Sequence, residues 1–220
     1  MKSHPNRSYA NSFPGKDATE LKRIRKRFYR YLCDYFMESI YLLNMPVEEC
    51  NRRYSYTNPE LIQNLFDKGK NLAIATSHMG NWEWAANFKY WFPHQLYGIY
   101  KPLKSRRFDR LFYYLRNRYG SIPIPMKQVL RTIVESLKKK EIFALYFVAD
   151  QRPRKKETHF WTSFLNQETP VYTGMDRLAR KYDLAVVFMD ITRTGRGYYQ
   201  ITHKLITDRP GATAEHEIIK

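Results

Sequence analysis

Acidic residues are scarce in this chain. Only 21 Asp and Glu stand against 38 Lys and Arg, a formal net charge of +17 over 220 residues. Such an imbalance points to an anionic partner: a phospholipid surface, a nucleic acid or an acidic protein. Cysteine is nearly absent. Cys33 and Cys50 have no metal-type spacing and do not make a disulfide scaffold, so a reducing, cytosolic face is expected. No apolar run approaches the ~20 residues that span a bilayer, and Met1 to Arg7 hold no signal-peptide core. The nine glycines form neither a P-loop nor a dinucleotide fingerprint, which removes support for nucleotide hydrolysis and dinucleotide binding. His4, His94, His159, His203 and His216 are scattered with no carboxylate at ligand spacing, so neither a metal nor a cofactor is expected. No Ser or Cys nucleophile motif is present.

What is abundant is apolar and aromatic. Apolar residues make up 43% of the chain, which marks it as globular, and its length suits one domain over residues 1–220. Aromatics reach 16%. Tyr and Trp beside Lys and Arg suit a lipid headgroup interface, and they suit single-stranded nucleic acid equally well.

Residues 17–44 read as one long amphipathic helix. Leu21, Ile24, Phe28, Leu32 and Tyr35 recur at steps of three and four, while Lys22, Arg23, Arg25, Lys26, Arg27 and Arg30 fill much of the rest. The charged half could lie on anionic headgroups with the aromatic half buried; an ordinary core-packed helix with a solvated basic face fits as well. Asn58 and Pro59 open a short helix that Gly69 ends. Strands are expected over 71–76, 96–101, 142–148, 184–192 and 198–206, the last two as a hairpin around Gly195 and Gly197, with a short extended piece over 121–125. Helices are expected over 81–92, 104–119, 127–140 and 171–182, with a polar loop after Asp150. Alternating strands and helices predict an α/β fold, a mixed sheet flanked by helices.

The most informative stretch is Thr76-Ser77-His78-Met79-Gly80-Asn81-Trp82-Glu83, directly after the apolar run Leu72-Ala73-Ile74-Ala75. Five positions on one helix lie roughly 140° apart, so His78 and Glu83 meet only if a strand ends at His78 and a helix begins near Glu83. Gly80 permits the turn and Asn81 is placed to cap the helix. Glu83 at that N-terminus would stay ionised, hold the imidazole in one tautomer and stabilise its protonated form. That is the equipment of a general base acting on a hydroxyl. The bland alternative is a capped helix start with a satisfied histidine.

His-x4-Glu after a strand resembles the active-site motif of bacterial lipid A biosynthesis acyltransferases, the lauroyl/myristoyl late enzymes within the wider glycerolipid acyltransferase group. Further blocks agree in order: Asn11-Ser12-Phe13-Pro14, Asn58-Pro59-Glu60-Leu61, Tyr100-Lys101-Pro102-Leu103 leading to Arg116-Asn117-Arg118-Tyr119-Gly120, Ala149-Asp150-Gln151, and Thr169-Pro170 with Thr173-Gly174. The resemblance runs from about Asn11 to the end and implies a glycerolipid-acyltransferase-like fold.

The resemblance also implies the chemistry. A fatty acyl group would pass from an acyl carrier protein thioester to a hydroxyl of a lipid A precursor, with His78 as base and Glu83 as its orienter. The setting would be an anionic membrane surface on the cytoplasmic face of the bacterial inner membrane. Family members usually carry an N-terminal membrane helix before the Asn-Ser-Phe-Pro block, so the chain is expected to be truncated at both ends.

Tyr100, Lys101, Arg116 and Arg118 match the block associated with a phosphorylated acceptor or with positioning the reaction centre. Arg offers bidentate bonds to phosphate, and Arg118 is the foremost candidate. Asp150 and Gln151 stand where a buried strand emerges, a usual place for functional loops, although a turn Asp reads the same way. Thr173 and Gly174 open a helix whose N–H groups suit an anion, or simply start it. Arg152, Arg154, Lys155 and Lys156 suit lipid phosphates or the acidic carrier protein, or form a plain charge run. Other glycolipid or aminolipid acceptors, thioester hydrolysis, and a non-catalytic module that binds nucleic acid or an anionic surface remain alternatives. No recognition-helix, zinc-finger or RNP signature supports nucleic acid.

Overall fold

In the computed structural model, residues 10–153 and 160–219 are described. Asp17 accepts from the Glu20 N–H at 2.8 Å and so caps helix α1, Ala18–Tyr41. Tyr35, Glu38 and Ser39 form its buried side. Phe28, expected there, is 45% exposed. Helix α2 (Val47–Arg53), strand β1 (Tyr54–Tyr56) and helix α3 (Pro59–Asp67) follow. Asn58 does not cap α3 with its side chain. It exchanges two bonds with the His203 backbone, at 2.7 and 2.9 Å, and so prolongs a sheet ladder.

Strand β2 (Leu72–Thr76) leads through the His78 turn into a 3₁₀ helix, Trp82–Tyr90. An α-helix was expected at that point. Glu83 to Phe88 are all buried, and the tighter winding aligns side chains three apart, such as Ala85 and Phe88, in that enclosed space. Then come β3 (Gln95–Tyr100), α4 (Arg106–Arg118), β4 (Ile122–Pro125), α5 (Val129–Lys138) and β5 (Phe143–Val148). Beyond Asp150 the chain forms a small two-stranded sheet, β6 (Phe160–Phe164) with β7 (Gln167–Val171), in place of the expected loop. Its two turn residues, Leu165 and Asn166, have positive φ, as tight hairpins require. Arg154, Lys155 and Lys156 lie outside the described residues. Helix α6 (Gly174–Tyr182), the antiparallel pair β8 (Ala185–Gly195) and β9 (Tyr198–Thr207), and two short 3₁₀ turns, Pro210–Ala212 and Glu217–Ile219, follow.

The fold is α/β. Seven strands form one mixed sheet in the order β1-β9-β8-β2-β5-β3-β4. Strands β8, β2, β5, β3 and β4 run parallel; β9 returns antiparallel to β8 and pairs parallel with β1. Alternation along each strand divides the core between two faces. Leu72 and Ile74 of β2 and Ala144 and Tyr146 of β5 join Trp84, Phe88 and Leu115 on one face. Ala73, Phe143, Leu145 and Phe147 join Val129, Ile133, Met175 and Ala179 on the other. The chain therefore leaves β2 over one face and β5 over the opposite one. Adjacent strands with that property open a crevice at their carboxyl ends, where open α/β sheets place their sites.

Gly80 has φ of +60°, and a Cβ there would lie 2.3 Å from Ile191 Cγ2. Gly80→Ala is expected to cost about 1–3 kcal/mol through left-handed strain and overpacking, measured by denaturant unfolding against wild type.

Candidate active site

Thr76 of β2 and Val148 of β5 are register partners, and the Ala149 N–H donates to the Thr76 carbonyl at 3.1 Å. Two residues past each register partner stand His78 and Asp150, so the ladder delivers them side by side. His78 Nδ1 lies 2.6 Å from Asp150 Oδ1, and the His78 backbone N–H donates to Asp150 Oδ2 at 2.9 Å. One carboxylate thus holds both the ring and the peptide of the histidine. Burial works against ionisation of Asp150, but these bonds outweigh it and hold the carboxyl below its ordinary value. An ionised carboxylate only accepts, so the proton belongs on Nδ1 and the lone pair on Nε2. Gln151 Nε2 sits 3.2 Å from that second nitrogen, and an amide N–H is the donor it needs. Both side chains remain about one third exposed, His78 at 31% and Asp150 at 38%, so a substrate can reach them.

Glu83 was expected as the partner of His78. The structure gives that partnership to Asp150. Glu83 is 3% exposed and takes a bidentate pair of bonds from Arg116, Nε to Oε2 and Nη2 to Oε1, both 2.7 Å. The 3₁₀ helix turns Glu83 inward toward α4, where Arg116 also lies over the rings of Tyr100 and Phe112. Burial works against the Arg116 charge, yet Glu83 more than offsets it and raises its pKa. The two clusters share a wall. Trp82 sets its ring edge-on to His78 at 4.6 Å and stacks on Tyr35 at 4.3 Å, and the Tyr35 hydroxyl lies 3.5 Å from Glu83.

Behind the turn lies α1. Its Tyr31 hydroxyl donates to the Gly80 and His78 carbonyls. Burial and then Glu38 push that hydroxyl up to about 12, which keeps it a donor. Asn81 is buried and donates to Glu38 at 2.9 Å, as does Tyr199. It does not cap the helix with its side chain, because that amide is turned away to Glu38.

The remaining candidates divide. Tyr100 joins the Arg116 cluster. Lys101 is exposed just past β3. Arg118 is committed elsewhere: its guanidinium donates to the Leu42 and Leu43 carbonyls at the end of α1. Thr173 and Gly174 start α6, which packs on the face opposite the 3₁₀ helix. Sequence reasoning missed Tyr31, Glu38 and Trp82. The signal for two of them was the spacing 31, 35, 38 along α1, a stripe on one side of the helix.

The structure thus places a solvent-reachable imidazole, held by a carboxylate, at the carboxyl ends of a parallel sheet. A family model for bacterial lipid A biosynthesis acyltransferase matches residues 7–213. The chain belongs to that family, and its general activity is acyl transfer in lipid A biosynthesis. No curated protein matches the chain.

Two measurements check the geometry. Arg116→Ala leaves Glu83 charged and unpaired in the interior, and is expected to cost about 3–5 kcal/mol of unfolding free energy. Arg116→Lys should recover part of this, since it restores charge without the fork. Asp150, whose carboxyl is depressed in the folded state, contributes stability that is present above the unfolded carboxylate range. That contribution is lost as pH falls through the folded value. The stability gap between wild type and Asp150→Asn should therefore be open at neutral pH and close in acid, as followed by unfolding at several pH values.

Proposed function

We propose that the protein transfers a fatty acyl group from an acyl carrier protein thioester to a hydroxyl of a lipid A precursor, with His78 Nε2 as the base. The observation that supports this reading most is the double hold of Asp150 on His78. In the neutral imidazole that hold keeps the proton on Nδ1 and the lone pair on Nε2. An acceptor hydroxyl would displace the Gln151 amide from Nε2 and give its proton there, and the oxygen would attack the thioester carbonyl. The tetrahedral oxyanion then collapses, breaks the carbon–sulfur bond and expels a thiolate, which takes the proton back from His78. Asp150 stabilises the imidazolium in between.

In this reading Asp150 takes the orienting role first expected of Glu83. Glu83 anchors Arg116 and, with Trp82 and Tyr35, fixes the wall beside His78. Lys101, exposed next to the Arg116–Tyr100 cluster, would meet a phosphate of the acceptor. Gln151 steadies the free base. Reaction at the cytoplasmic face of the bacterial inner membrane would suit both a soluble donor and a lipid acceptor.

The decisive assay combines the protein, in membranes, with lipid A precursor and a panel of acyl-acyl carrier proteins. Wild type should add the mass of one acyl group. His78→Ala should abolish the gain, and Asp150→Asn should reduce it by roughly 10²–10⁴-fold, both with unfolding midpoints that report an intact fold. Release of free fatty acid without product would point instead to thioester hydrolysis or to another glycolipid or aminolipid acceptor. Full activity of His78→Ala would overturn the assignment.

A further inference from the structure

Helix α1 has two working sides. Tyr31, Tyr35 and Glu38 turn inward and hold the segment from His78 to Glu83. On the opposite side, roughly 140–240° around the helix from Tyr31, stand Tyr29, Phe36, Met37 and Ile40. They are 54, 53, 62 and 60% exposed. Lys22 and Lys26, also exposed, continue the same side toward the N-terminus, and Arg30 borders it. The expected division of this helix, cations outward and aromatics inward, is thus only half met. Its outer side is cationic in the first half and apolar in the second. Four large apolar side chains along one side of one helix make a patch, whereas isolated exposed hydrophobics do not.

We infer that this outer side of α1 is the surface by which the protein lies on an anionic phospholipid bilayer. Cations flanking a block of aromatic and aliphatic side chains match an interfacial helix, whose apolar part enters the acyl boundary while Lys and Arg reach the headgroups. Among the described residues no helix is long and apolar enough to cross a membrane, so α1 lies on the surface and does not span it. A nucleic acid could stack on Tyr29 and Phe36 but offers nothing to bury Met37 and Ile40. The chain's charge of +17 supplies the long-range attraction to anionic lipid. One consequence rests on the proposed reaction. With the His78 turn on the inner side, the base sits about one helix diameter, ~10 Å, from the headgroup plane, and the acceptor reacts without leaving the bilayer.

The test uses the full chain and vesicles of phosphatidylglycerol with phosphatidylethanolamine, beside vesicles of phosphatidylcholine. Co-sedimentation should favour the anionic vesicles. A variant with Tyr29→Ser, Phe36→Ser, Met37→Ser and Ile40→Ser should bind them more than roughly tenfold more weakly, and Lys22→Glu with Lys26→Glu should remove the preference for anionic lipid. All six positions are exposed, so unfolding midpoints should stay near wild type. In turnover, the serine variant should lose activity on bilayer-held acceptor and keep it on detergent-dispersed acceptor. Vesicle binding unchanged in both variants overturns the surface assignment, as does equal loss of turnover in the two presentations. Tight binding to an oligonucleotide that the serine changes abolish, with no vesicle binding by wild type, overturns it in favour of nucleic acid. If wild type binds vesicles but transfers no acyl group in either presentation, the proposed reaction fails and the surface stands.

Discussion

Thr76 faces Val148 across the ladder between β2 and β5, and the site depends on that register. A slip of one residue would send each side chain past it to the other face, so His78 and Asp150 would no longer emerge together. Register is strongly specified here because both strands are buried on both sides. Leu72 and Ile74 answer to one core, Ala73 to the other, and the neighbouring β8 repeats the pattern with Ala185, Val187 and Val186. Packing far from the chemistry therefore fixes a 2.6 Å contact within it.

Around this pair the interior holds two further carboxylates, and their settings differ. Glu83 is neutralised by a guanidinium in bidentate contact. Glu38 receives two neutral donors, Asn81 and Tyr199, while its second oxygen has no hydrogen-bond partner. Buried ions carry a large desolvation cost and seldom add net stability. Their use in this molecule is geometric: each ties one flank of the His78 turn to a separate element, α4 through Arg116, α1 through Glu38 itself.

Much of this was legible in the sequence. The alternation of strands and helices, the strand ending at the His78 turn, the hairpin of β8 and β9, and the family resemblance all followed from local patterns. Asp150 and Gln151 were legible as residues emerging from a buried strand, because an apolar run followed by Asp-Gln is a local signal. Their partner was not. His78 lies 72 positions away, and only the sheet order makes β2 and β5 neighbours. Glu83 was given to His78 on the expectation that a strand ends at His78 and a helix begins near Glu83; in the 3₁₀ helix found there it meets Arg116 instead. Arg118 looked ready for phosphate because its attachment to the end of α1 is likewise a tertiary fact. The β6–β7 hairpin was hidden because its Leu165-Asn166 turn lacks the usual glycine and β7 carries a proline.

The long separation between the two halves of the site has a kinetic side. Strand β2 is hydrogen-bonded to β5 and β8, both of which follow it by many residues in the chain. During synthesis it emerges with no partner on either edge, apolar on both faces, and must wait for most of the remaining sequence. Parallel pairings of this range are slow to form, because loop-closure entropy is lost before any contact compensates. Until then Leu72, Ile74 and their neighbours offer an unpaired, aggregation-prone edge. The histidine is made early, yet it meets Asp150 only when nearly the whole sheet has closed.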